Sequence, residues 1–144
     1  MRHWQEIMIH HSATPDGATF DWQAIRRYHM TDDMHRYADI GYHFGVEKIG
    51  DHYETLIGRS LRNPGAHCRG RNYTAIGICV VGNYDIVAPS ADALMRCAEL
   101  CRVLMDMFDI PIQRVVAHRS WNPHKTCPGK MFDMNELKKY IIKL

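Results

Sequence analysis

The chain has 144 residues, which at roughly 100–200 residues per domain accommodates one core and no second domain. Hydrophobic residues make up 46% and charged residues 24%, close to soluble globular averages, which excludes disorder, collagen and coiled coil as the main architecture. No apolar run approaches the ~18 residues of a membrane helix, and a net charge of +2 from scattered basic residues gives no electrostatic case for nucleic acid or anionic lipid as partner.

Ten histidines and five cysteines stand out. The cysteine count is odd and Cys97 and Cys101 sit one helical turn apart, a poor geometry for a bridge, so the thiols are expected to be reduced and buried. Met1-Arg2-His3-Trp4-Gln5-Glu6 lacks the apolar stretch of a secretory leader, which predicts synthesis in the cytoplasm.

In chain order, Ile7-Met8-Ile9 is a short buried strand that ends in His10-His11-Ser12 and the turn-rich Ala13-Thr14-Pro15-Asp16-Gly17. Trp22, Ile25, Tyr28 and His29 recur at helical spacing, predicting a helix from near Asp21 that fades before Asp32. Residues 42–49 and 52–57 flank Gly50-Asp51, a two-residue hairpin signal. The polar stretch from Arg59 to Tyr73, with Pro64-Gly65 and Gly70, reads as a surface loop, and Ala75 to Val81 as a central strand.

Ser90 is a good N-cap for a helix with Leu94, Cys97, Ala98, Cys101, Leu104, Met105 and Phe108 on its apolar face, stopped by Pro111. Val115-Val116-Ala117 is a short strand that delivers His118 into an irregular loop. Asp133 and Glu136 resemble a capping box for a last helix with Leu137, Tyr140, Ile141 and Leu144 inward. The order β, α, β-hairpin, β, α, β, α predicts one α/β domain over 1–144, a mixed sheet flanked by about three helices. His10 and His118 fall at carboxyl ends of strands, where open α/β sheets place ligands.

The loop from His118 to Gly129 holds imidazole, lysine and thiol together. Zinc takes neutral imidazole and thiolate, and a catalytic site needs three protein ligands with one position open, which His10, His118 and Cys127 can supply. Spacing alone leaves a second reading open, that these are simply hydrogen-bonded polar residues. His124 is a rival ligand from the same loop.

Ile9-His10-His11-Ser12-Ala13-Thr14, Asp39-Ile40-Gly41-Tyr42-His43-Phe44, Pro64-Gly65-Ala66-His67, Asn72 before Ile76-Gly77-Ile78, and Ala117-His118-Arg119 with Lys125-Thr126-Cys127-Pro128-Gly129 occur in order. Over nearly the whole chain this set resembles the N-acetylmuramoyl-L-alanine amidases of the phage-lysozyme and peptidoglycan-recognition-protein superfamily. The resemblance implies Zn2+ held by His10, His118 and Cys127, with Tyr42 and Lys125 catalytic. Lys125 points toward the phage-type or bacterial branch, since many recognition proteins carry threonine there. Amide hydrolysis at neutral pH needs what zinc provides, a lowered water pKa and a polarised carbonyl. Tyr42 is then expected to orient the attacking water and Lys125 to meet the developing oxyanion.

The resemblance also places His67 on the substrate side, for binding or proton transfer, and brings Asn72 near the stem peptide. Arg59, Arg62, Arg69 and Arg71 read first as a solvated basic surface, but arginine engages stem carboxylates well, so His67, Arg69 and Asn72 are taken as substrate-binding. His11 is expected to pack on the opposite face of its strand from His10. His3, His29, His35, His43 and His52 read as structural or surface residues. No carboxylate occupies a motif position as general base. The expected protein is a monomeric, cytoplasm-made hydrolase acting on peptidoglycan in the cell wall, with no membrane insertion. The alternatives are a non-catalytic peptidoglycan-binding module of the same fold, disfavoured by Cys127, Tyr42 and Lys125, and a cytosolic protein whose cleft recruits another protein.

Overall fold

The computed structural model describes residues 3–14 and 21–144. Pro15-Asp16-Gly17 of the expected turn lie outside the described residues. Five strands, β1 (Glu6–His11), β2 (Phe44–Ile49), β3 (His52–Ile57), β4 (Ala75–Val80) and β5 (Val115–Ala117), form one sheet in the order β3-β2-β4-β1-β5. β1 runs parallel to both β4 and β5, β2 is parallel to β4, and only the β2–β3 hairpin is antiparallel. The helices are α1 (Trp22–Thr31), α2 (Ala91–Phe108), α3 (His118–Trp121) and α4 (Met134–Ile142).

Strand alternation sorts the core into two sides. Ile7, Ile9, Ile76, Ile78 and Val80 face α2 and α4 in the larger cluster. Met8 and Cys79 face the other way, Met8 onto Cys68 and Cys79 onto Trp22 and Ile25 of α1. β1 and β4 are buried along their whole length, as expected of parallel strands covered on both faces. Ser90 caps α2 through the Ala93 amide at 3.1 Å, and the helix ends at Asp109 in the left-handed region, before Pro111. Its apolar stripe sits on the sheet, and burying each leucine there contributes about 1.5–3 kcal/mol.

Tyr28 is 56% exposed, because α1 presents only Trp22 and Ile25 to the sheet, and Leu144 is 52% exposed past the end of α4. Asp133 caps α4 through the Asn135 amide, while Glu136 pairs forward with Lys139 rather than closing a capping box. β2 begins at Phe44, so Tyr42 and His43 precede it. The 59–73 loop is less solvated than its composition suggests. The Arg59 guanidinium donates to the carbonyls of Ile40, Pro64 and Asp39. Arg71 donates through Nε to the buried carboxylate of Glu6 at 2.7 Å and lies over the Trp121 ring, 4.1 Å from its centroid. Arg71 ties the loop to β1, Arg59 ties it to the 39–40 segment ahead of β2, and Arg69 stays exposed.

Candidate metal centre

β1 and β5 are adjacent and parallel, so their carboxyl ends open on the same edge of the sheet. His10 is the penultimate residue of β1 and His118 directly follows β5, which brings their ring centroids to 4.5 Å. His118 opens the single-turn helix α3 rather than an irregular loop, its carbonyl accepting from the Asn122 amide at 3.0 Å. The Cys127 sulfur completes the cluster. One nitrogen from each histidine and the sulfur all lie within 4.8 Å of one another.

Cys127 is brought there by a framed loop. The Arg119 amide donates to the Cys127 carbonyl at 2.8 Å, and its guanidinium donates to the carbonyls of Thr126, Gly129 and Phe132 at 3.3, 2.8 and 3.0 Å. Asp85 accepts from the Thr126 hydroxyl at 3.0 Å and from the Lys130 amide at 2.9 Å. Gly129, with φ of 118°, packs so closely on Tyr84 that a Cβ would sit 2.4 Å from its carbonyl carbon. Only glycine fits there. The His11 amide donates to the Cys127 sulfur at 3.4 Å, while the His11 ring turns away and accepts from the Tyr84 amide at 3.1 Å.

His10 is the fully buried member of the cluster. Its Nε2 lies 2.9 Å from Nδ1 of His67, whose Nε2 lies 3.0 Å from the Ala75 carbonyl, and its Nδ1 lies 3.5 Å from the Cys127 sulfur. The His67 ring is held between Gly65 and Gly77, where an added Cβ would come within 2.4 and 2.6 Å of its Cδ2. The Asn72 amide oxygen accepts from the His67 and Cys68 amides at 2.7 and 2.9 Å. His67 and Asn72, expected beside substrate, both line the cleft, while these atoms of theirs bond within the protein.

Burial sets the protonation of the cluster. Desolvation, then the neighbouring His67 and His118, hold His10 well below the ordinary imidazole range, and desolvation lowers His67 to about 3. Desolvation and the Lys125 cation lower His118. Both effects favour the neutral imidazoles that a metal requires. Desolvation pushes the Cys127 thiol up to about 12, so its thiolate needs a cation beside it, as a coordinating metal provides. The donor set therefore fits zinc, which His10, His118 and Cys127 would hold through two nitrogens and one sulfur at the wall of a cleft.

That cleft has a volume of about 710 Å³. Tyr42 stands over the cluster, its ring 5.1 Å from that of His10, and burial raises its hydroxyl well above the usual phenol range, keeping it a proton donor. Lys125 lies exposed along the wall, and Arg69 and Asn72 line the side formed by the 65–74 loop. His124, the rival ligand, is exposed outside the cluster. His43 is buried as structure, donating through Nε2 to the Asn63 carbonyl and accepting at Nδ1 from the Gly77 amide. His29 and His35, expected as structural or surface residues, both line the cleft with Tyr37, and His29 also accepts from the Gly41 amide at 2.9 Å. Asp85 and Arg119 escaped sequence reasoning as loop-framing residues. Arg119 sits inside the His118 motif, which was the one available signal.

The fold and cluster together define the class of amidase and peptidoglycan-recognition α/β domains. The chain belongs to the N-acetylmuramoyl-L-alanine amidase family, whose model matches residues 1–130. A peptidoglycan-recognition protein of Drosophila simulans is 32% identical over 137 residues, 93% of this chain and 72% of that protein. Human N-acetylmuramoyl-L-alanine amidase is 30% identical over 139 residues, 89% of this chain but 23% of that longer protein. The solved endolysin amidase LysCS of Clostridium intestinale superposes with a TM-score of 0.82 at 26% identity, covering 98% of this chain and 85% of its own.

Proposed function

We propose that the chain is a zinc-dependent hydrolase that cleaves the amide between the lactyl group of N-acetylmuramic acid and the L-alanine of the stem peptide. The observation that carries this reading is the convergence of His10, His118 and Cys127 within 4.8 Å beneath an open cleft. When bound, zinc supplies a Lewis acid that polarises the scissile carbonyl and acidifies water.

The remaining work falls to side chains. The Tyr42 hydroxyl donates to oxygen at the reacting centre, and the Lys125 ammonium meets negative charge as the carbonyl becomes tetrahedral. Such a donor is worth roughly 3 kcal/mol in other hydrolases. The Asp85 carboxylate lines the cleft, but both its oxygens already accept hydrogen bonds from the loop. It frames the loop and is not assigned a role as base. The exposed Arg69 guanidinium at the cleft wall suits the carboxylates of a stem peptide. In this reading Asn72 serves substrate binding by fixing the loop that carries Arg69. The site of action is the cell wall, and the protein works as a monomer. Among the described residues no helix is long and apolar enough to cross a membrane.

The test is zinc stoichiometry and wall-clearing activity of metal-free protein after reconstitution, alongside Cys127→Ser. One zinc per chain and turnover that both collapse in the variant are expected. Undiminished metal and turnover in Cys127→Ser would refute the assignment, and wall binding without turnover by the zinc-loaded wild type would indicate a binding module.

A further inference from the structure

We propose that His67 is a positioning residue for His10, fixing its tautomer so that the Nδ1 lone pair faces Cys127 and the metal position. The proposal rests on the reading of His10 as a metal ligand, and it gives His67 a task different from contact with substrate.

The relay starts at a backbone carbonyl. The Ala75 oxygen can only accept, so the His67 Nε2 at 3.0 Å carries the hydrogen. A neutral imidazole has one N–H, so the His67 Nδ1 is bare and acts as acceptor. The His10 Nε2, 2.9 Å away, must then donate to it. His10 in turn has its hydrogen on Nε2 and a free lone pair on Nδ1, the nitrogen that lies 3.5 Å from the Cys127 sulfur. The preference of one carbonyl is thus passed through two imidazoles to the metal-facing atom.

The surroundings hold the relay in place. The two rings meet edge to face, with centroids 4.9 Å apart and planes at 84°. Gly65 and Gly77 close on the His67 ring from two elements and leave no space for a Cβ on either, so the ring has little room to move. Asn72 fixes the backbone from which the ring projects, through the amides of His67 and Cys68. Metal-bound histidines generally donate their second N–H to a carboxylate, a carbonyl or water, and losing that partner costs roughly 10–100-fold in metal affinity. Here the partner is a second histidine, itself anchored on a strand carbonyl.

Two measurements test this. Nitrogen-15 NMR of metal-free wild type labelled at histidine reads each tautomer directly and needs no variant, and zinc affinity by chelator competition is compared for wild type, His67→Ala and His67→Asn. The Nε2–H tautomer is expected at both His10 and His67. His67→Ala should bind zinc roughly 10–100-fold more weakly and leave His10 as a tautomer mixture. His67→Asn should recover most of the affinity, because its amide oxygen stands near the position of the His67 Nδ1. An Nδ1–H tautomer at His10 in wild type would overturn the proposal, as would unchanged zinc affinity in folded His67→Ala. Wild type that takes up no zinc but shows the expected tautomers would refute the metal reading while supporting the relay.

Discussion

Arg119→Lys isolates the contribution of the loop that carries Cys127. The guanidinium donates to three carbonyls, those of Thr126, Gly129 and Phe132, at 3.3, 2.8 and 3.0 Å. A lysine ammonium keeps the charge but lacks the planar fork, and from one stem it can serve about one of these acceptors. Losing two bonds at about 0.5–1.5 kcal/mol each costs ~1–3 kcal/mol. With an unfolding entropy of about 0.3 kcal/mol/K for a chain of this length, the Tm should fall by ~3–10 °C. The Arg119 amide still holds the Cys127 carbonyl, so the fold survives and the sulfur loses its fixed approach to His10 and His118. Calorimetry of metal-free protein, with zinc affinity by chelator competition, measures both effects. Arg102→Lys is the control, since Arg102 pairs with Asp106 on the exposed face of α2 and such sites change stability within about 0.5 kcal/mol. If Arg119→Lys matched that control in both Tm and zinc affinity, the framing role would be refuted.

Tyr42→Phe and Lys125→Ala should keep zinc and fold while lowering kcat/KM by roughly 100-fold or more; near-native rates in either would remove that residue from the chemistry. Gly77→Ala drives a Cβ to 2.6 Å from the His67 ring, which should cost ~1–3 kcal/mol by overpacking and weaken zinc binding, as melts and chelator competition would show. Burial holds His29 at about 4 and His67 at about 3, below the 6.5 of a free imidazole, so the unfolded chain binds more protons in that window. Stability of metal-free protein should therefore be complete above pH 6.5 and fall as pH drops toward 4 and below, starting above the carboxylate range. A Tm unchanged between about pH 7 and 5 would contradict this.

The parts of the fold legible in the sequence were those with a local physical signature. Ser90 and the stripe from Leu94 to Phe108 predict α2, and Gly50-Asp51 predicts the hairpin, because caps, periodicity and turns act over a few residues. The strand ends carrying His10 and His118 were legible for the same reason. The sheet order was not, since pairing β1 with both β4 and β5 joins segments far apart in the chain. Composition misled over Arg59 and Arg71, whose charges serve a carbonyl cluster and a buried carboxylate that no local pattern reveals. The same holds for His67. Its motif marked it as functional, but its partners are His10 on one strand and the Ala75 carbonyl on another. Its role depends on tertiary placement.

The bond proposed to break is the lactyl-to-L-alanine amide, and the products of digestion identify it. Purified peptidoglycan is digested with zinc-loaded protein free of other hydrolases, and the soluble fraction is examined by mass spectrometry. Intact stem peptides with a new alanine amino terminus are expected, with glycan strands left uncut. New reducing sugar ends, or fragments broken within the stem, would contradict this expectation.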